Sequence, residues 1–442
     1  MTMPPSPPCD RCGQPVVEAH YPDGRCPQRS RGARKAVTVI RAGVAVAAVG
    51  LVTATLTGAP GRPPTPVKAP AEPAAGPTAW QLAHGRWVRM PPSPLKMCGN
   101  VAAWDGRELV VVQEPADGCP VGAAAYDPRE NRWITIAAPP LVKHQWAVAA
   151  SGGGQVLLVV NSGSVYSWRP ATGRWRPVGS LPAGRNSFSV AWTGRTFVVT
   201  RLYAWEDAGP VQAFELAGRH WKPLPDLPQP RAGRIMGAPP IAFGGAVYVF
   251  PHVVVVHHTG QGAFYDSGYN EALRLTSAGW RQVRIGPGGP PSGFNLALVR
   301  GAILATGSSC QWECTVETGR AALLRPGSAS SVIPLRPEPG VPDSSTFAAG
   351  TRAIVFTYSE GIGGLPGFPQ PPTGTCYVYD VATGKWQPGP TAPATPRIAG
   401  PAYWTRYGVV TLGETFGGGK VPALAHIGGW LLRPAGQRSP RQ

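Results

Sequence analysis

Tyr126-DPRENR-Trp133, Trp168-RPATGR-Trp175 and Tyr379-DVATGK-Trp386 are three copies of one pattern: an aromatic residue, a turn, and a tryptophan seven positions on. Three looser copies keep the spacing: Trp80-QLAHGR-Trp87, Phe214-ELAGRH-Trp221 and Leu273-RLTSAG-Trp280. Asp-Pro, Ala-Thr-Gly and Ala-Gly are turn formers, so each copy predicts a β-hairpin. A Pro-rich stretch follows most of these tryptophans, and then come two more strand-like runs, as in NVAAWDGRELVVVQ and AVAASGGGQVLLVV. Trp87, Trp133, Trp175 and Trp221 fall 42 to 46 residues apart, and the step from Trp280 to Trp386 spans two units, with one tryptophan missing near residue 333. A four-stranded unit repeated at this period predicts an all-β chain folded as a β-propeller. Seven blades over residues 80–434 are expected, with six or eight left open, followed by a tail at 435–442. Trp80–Trp87 and Ala423–Trp430 both qualify as outer hairpins, and one of them is expected to close the ring, because an unclosed ring leaves an open edge. Tryptophans at one fixed place per blade are expected to be buried between blades, which competes with a sugar-binding role for them.

The arrangement resembles the kelch and galactose-oxidase-central-domain propellers over about residues 80–434. The resemblance rests on the Tyr-Asp…Trp hairpin and on a Pro-x-x-Arg crossover to the next blade, and it departs from the kelch pattern in lacking the Gly-Gly doublet in most units. A galactose-oxidase-like copper centre would need two Tyr, two His and a Cys cross-linked to one Tyr. His257-His258 and Tyr265 or Tyr269 lie close in sequence, but the family's late Tyr-His dipeptide is absent. A copper oxidase is therefore a minor alternative.

Composition excludes other classes. The 442 residues include 57 Gly and 53 Pro, a load that long helices cannot carry. Hydrophobic residues reach 43%, enough for a packed core. The net charge of +18 is spread over many loops, with no run of five basic residues, so nucleic acid is not expected as a partner.

Ahead of the repeats, residues 36–59 read AVTVIRAGVAVAAVGLVTATLTGA, interrupted only by Arg41. The 18 uncharged residues from Ala42 to Ala59 are about the minimum for a spanning helix. Arg29, Arg31, Arg34 and Lys35 precede it, so the N-terminus is expected in the cytoplasm and the repeats outside a cell membrane. A signal peptide cleaved after Thr57-Gly58-Ala59 is the rival reading. Residues 60–79 form a Pro/Ala-rich linker. The stub at 1–35 holds Cys9, Cys12, His20 and Cys26, a set that suits zinc and resembles a miniature zinc ribbon. Arg29 stands where a ribbon's fourth Cys would be, so a metal-free remnant is the other reading.

In a propeller the loops from strand two to three and from blade to blade share one face. The long insertions Arg201–Val211, Pro251–Asn270, Gly307–Thr318 and Tyr358–Thr375 all fall there. The expected result is a cup lined by Tyr203, Trp205, His257, His258, Tyr265 and Trp312, with Arg185, Arg234 and Arg397 from the crossovers. Aromatic faces and guanidinium forks suit sugars or anionic groups. No catalytic residue and no cofactor is expected in the propeller. The leading expectation is a binding or scaffold module for a protein or envelope glycan. An exported hydrolase or lyase acting on envelope sugars is the alternative, although the acids are few and isolated. Disulfides are expected at Cys98–Cys119 and Cys310–Cys314. Cys376 is left as the odd thiol, or as a rival partner for Cys310 or Cys314.

Overall fold

The computed structural model describes residues 76–437 apart from 97, 117, 183–185, 204–209, 231–232, 260–261, 269–270, 285–294, 308–319, 326–331, 336–344, 351, 359–374, 394–397 and 414–425. All lie in one compact unit, Lys68–Gln442. The zinc candidates Cys9, Cys12, His20 and Cys26 and the apolar run 36–59 lie outside the described residues. Among the described residues no helix is long and apolar enough to cross a membrane.

Seven antiparallel four-stranded sheets follow one another, and neighbouring inner strands touch all the way round, the last against the first. Blade one is Asn100–Trp104, Leu109–Gln113, Gly122–Asp127 and Arg132–Thr135, from the axis outward. Each blade is covered on both sides by its neighbours, so its second strand loses the alternation of a half-buried strand and becomes a continuous apolar run. LVVVQ at 109–113 and GVVTLG at 408–413 are buried at every position. Outer strands such as RWVR, RWIT and KWQP instead expose their ends and half-bury the middle.

Both termini make the closing blade. Ile398–Thr405, Gly408–Gly413 and Gly428–Arg433 supply three strands, and Arg86–Arg89 adds the fourth, with Trp87 opposite Leu432 and Arg89 opposite Trp430. The two expected clasps are thus halves of one sheet, and the ring has seven blades. Trp80–Trp87 is not a hairpin. Thr78 caps a short helix, Ala79–Ala83, through a reciprocal capping box with Gln81, and the strand begins after it. Ala79 and Leu82 pack with Ala353, Val355, Val378 and Leu432, which fastens the helix across the ring's seam.

Pairing also corrects two copies of the repeat. Trp133, Trp175 and Trp386 do sit opposite Tyr126, Trp168 and Tyr379, across four-residue turns. The last turn residue is left-handed in each: Asn131 at φ 50, Gly173 at 59 and Gly384 at 70, residue types that tolerate this region. Blades three and four use two-residue turns, so Trp221 faces Leu216 and Trp280 faces Leu275, not Phe214 and Leu273. In blade five Ile333 takes the missing tryptophan's position, opposite Leu323.

The repeat tryptophans are half-buried, not fully buried as expected. Their indole nitrogens explain the placement, since an N–H taken from water needs an acceptor and the chain leaving the preceding blade offers one. Trp133 Nε1 donates to Pro91 O at 3.0 Å, Trp175 to Ala137 O at 2.8 Å, Trp221 to Val178 O at 3.2 Å and Trp280 to Pro225 O at 2.6 Å. Trp87 donates to Pro390 O at 2.8 Å, carrying the series across the closure. Each acceptor lies three or four residues after the previous blade's position for the same tryptophan.

Candidate functional site

The loops from second to third strand and the crossovers between blades share one face, here called the loop face. The structure places the predicted residues there unevenly. Arg185, Trp205, Trp312, Arg397, Cys310 and Cys314 lie outside the described residues. Tyr203 ends the second strand of blade three, opposite Asn186. Arg234 lies in the crossover from blade three to blade four, as the first residue of a strand, and His257, His258 and Tyr265 lie on strands as well. The insertion in blade four folds into strands His252–Thr259 and Gly262–Gly268, and Arg234–Gly237 pairs alongside as a third. Arg234 pairs with Val254 and Tyr265 with Val256, while the two histidines lie beside the hairpin's turn, in a sheet separate from every blade. His257-His258 therefore belongs to a β-ribbon. Among the described residues, no three of His, Cys, Asp and Glu come together as a metal site would require.

The most completely described part of the loop face is where blades one and two meet. Cys98, in the crossover entering blade one, is disulfide-bonded to Cys119, in that blade's second-to-third loop, with Cα atoms 6.4 Å apart. Gln113 braces the same two segments: its Oε1 accepts from Lys96 N at 2.6 Å, and its Nε2 donates to Pro120 O at 2.5 Å. Glu114 follows. Its N–H donates to Gly99 O at 2.8 Å, and its Oε1 accepts from Ala147 N, the first inner-strand residue of blade two, at 2.6 Å. A Cβ at Gly99 would stand 2.5 Å from Glu114 Oε2, so a larger residue there would make the carboxylate shift. Burial pushes the Glu114 carboxyl above the usual carboxylate range, and the bond from Ala147 opposes that rise.

The crossover beside Glu114 is built to present side chains. Val142 N donates to Gln145 Oε1 at 2.9 Å and Gln145 N to Val142 O at 3.1 Å, closing a turn with His144 left-handed at φ 66. Leu141 is buried beneath, and Trp146 O accepts from Asn161 N at 2.9 Å. The turn leaves Val142 62% and Trp146 37% exposed, with Lys143 and His144 exposed between them. Trp146 stands outside the repeat period. A flat apolar ring, a cation and an imidazole on a braced crossover, with the Glu114 carboxyl hydrogen-bonded to Ala147 N at its end, suit recognition of a ligand with both apolar and hydroxyl-bearing faces. The sequence reading passed over this cluster, although a tryptophan off the Trp period was a visible signal.

The fold is a seven-bladed β-propeller. The solved structure of a fungal alcohol oxidase of the AA5 family, in complex with copper, matches with a TM-score of 0.55 at 14% identity, over 81% of this chain and 79% of that one. A mitotic checkpoint complex matches with a TM-score of 0.47 at 9% identity, over 87% of this chain and 99% of that one. No family model matches the sequence. No curated protein matches it either. The likeness is one of fold.

Proposed function

We propose that the chain is an exported binding propeller, held at a cell membrane by residues 36–59 with its N-terminus inside, whose loop face takes an envelope glycan. The observation that carries the reading is Trp146, exposed on a braced crossover next to Glu114 and the Cys98–Cys119 bridge. Hexose rings stack on such a surface, and their hydroxyls meet the polar groups around it. The bridge itself fits an oxidising compartment outside the cytoplasm. The stub binds zinc through Cys9, Cys12, His20 and Cys26, and cobalt substitution in the full chain is to be read by its thiolate absorption.

Binding is tested by passing the full chain over immobilised envelope polysaccharides and titrating the retained ones against tryptophan fluorescence. Trp146→Ala is expected to abolish retention with the far-ultraviolet spectrum unchanged. Wild-type protein that retains no glycan, or Trp146→Ala that binds as wild type does, overturns the reading.

A further inference from the structure

Propeller sheets present an open edge at each outer strand, and this chain guards those edges. Arg132, Arg174, Lys222, Arg281 and Lys385 lie on outer strands, and Pro334 removes a donor from another. Such residues discourage pairing with a second chain. The three-stranded sheet inserted in blade four differs. Its order is Arg234–Gly237, His252–Thr259, Gly262–Gly268, so the last strand, GAFYDSG, is an edge with no further strand beside it among the described residues. It has seven residues, no Lys, Arg or Pro, and no irregularity in its pairing. The opposite edge is only four residues long, begins with Arg234 and carries a register shift.

The hairpin's register says which backbone groups that edge offers. Thr259 pairs with Gly262 across a two-residue turn, and the closing pair of such a turn is hydrogen-bonded. Bonded pairs then alternate along the ladder at Gly262, Phe264, Asp266 and Gly268, which leaves the N–H and C=O of Ala263, Tyr265 and Ser267 directed away from the hairpin. That set is symmetric about Tyr265. We infer that Gly262–Gly268 pairs antiparallel with the same strand of a second copy of this chain, about a two-fold axis at Tyr265, joining two propellers through one six-stranded sheet.

Self-complementarity favours a second copy over an unrelated strand. An antiparallel pair centred on Tyr265 sets Ala263 against Ser267 of the partner subunit and Phe264 against Asp266 of the partner subunit. The strand's one charge therefore never faces its own copy, where two carboxylates would repel. A two-fold contact of this kind closes on itself and stops at a dimer. The inference is independent of the glycan reading, since it uses neither Trp146 nor the membrane segment.

The test uses the full chain in detergent micelles, with protein mass measured by sedimentation across a dilution series. Wild type is expected to be a dimer that dissociates on dilution. Tyr265→Lys and Tyr265→Glu are each expected to be monomeric, because like charges meet at the axis, and an equal mixture of the two is expected to dimerise again. Tyr265→Cys is expected to form a covalent dimer under mild oxidation, since residues in a hydrogen-bonded antiparallel pair lie about 5.5 Å apart at Cα, within disulfide reach. Phe264→Cys, which does not face itself, is not. A wild type that stays monomeric at the highest concentration reached, a Lys variant that still dimerises, or a mixture that fails to re-form the dimer while both variants keep the native spectrum, each overturns the proposal.

Discussion

Trp133→Ala tests whether the blades are held together by their tryptophans. The indole lies tilted against Tyr126, with ring centroids 5.1 Å apart at 47°, donates to Pro91 O in the neighbouring blade, and packs against the core cluster containing Leu109 and Val410. Full burial would make truncation cost about 3–5 kcal/mol. Half-burial roughly halves that, to about 2 kcal/mol, and the lost hydrogen bond adds about 1 kcal/mol. The expected loss is about 3 kcal/mol, read as a lower urea midpoint at unchanged slope. Trp133→Phe separates the parts: it keeps most of the ring packing and removes the donor, so it should lose about 1–1.5 kcal/mol. Trp80→Ala is the control. Trp80 is 59% exposed and belongs to the helix ahead of the ring, so its removal should cost less than about 0.5 kcal/mol. If Trp133→Ala costs no more than Trp80→Ala, the indoles do not hold the ring and a ligand role for them returns.

Removing the bridge with Cys98→Ser and Cys119→Ser should destabilise by about 3 kcal/mol, since it opens a loop with a sequence separation of 21, and denaturation of the oxidised and reduced forms measures it. Glu114 has a folded-state pKa raised by burial, so its charged form is disfavoured in the fold, and the stability it contributes is fullest in acid and is lost as pH rises through that raised pKa. Glu114→Gln should therefore be more stable than wild type near neutrality, with the gap closing in acid, and a midpoint-against-pH series that runs the other way refutes this. Cys376 is unpaired and buried, its thiol pushed up to about 12, so iodoacetamide at pH 8 should label it only after unfolding.

The Trp period made the propeller legible because one packing demand recurs in each blade, and even its gap fell at Ile333, where the structure keeps the position and changes the residue. Register was less legible. Phe214 and Leu273 share the seven-residue spacing with Tyr126, yet Gly218 and Gly279 allow shorter turns that move the facing residue by two. The same spacing in Trp80–Trp87 arises from a helix followed by a strand, which no count of residues distinguishes from a hairpin. At the site, Glu114 reads in sequence as a solitary acid. Its significance comes from Ala147, thirty-three residues on, which only the ring brings to it. The insertion Pro251–Asn270 was legible as a long stretch between strands, but its pairing with Arg234–Gly237, which belongs to the crossover into blade four, left no local mark.

The closing blade has a consequence for how the protein is made. Among the described strands its outer one, Arg86–Arg89, is the first synthesised, and its partner Gly428–Arg433 is the last. Blades one to six consist of neighbours in sequence and can form as they emerge, but the seam must wait for nearly the whole chain. Until then the first strand is an unpaired edge, and the closing blade lacks its two outer strands. Contacts of such sequence separation form slowly. Ring closure is thus a single late event, and a chain truncated before residue 428 would hold six complete sheets and a seventh lacking Gly428–Arg433, so that Arg86–Arg89 has no strand to pair with.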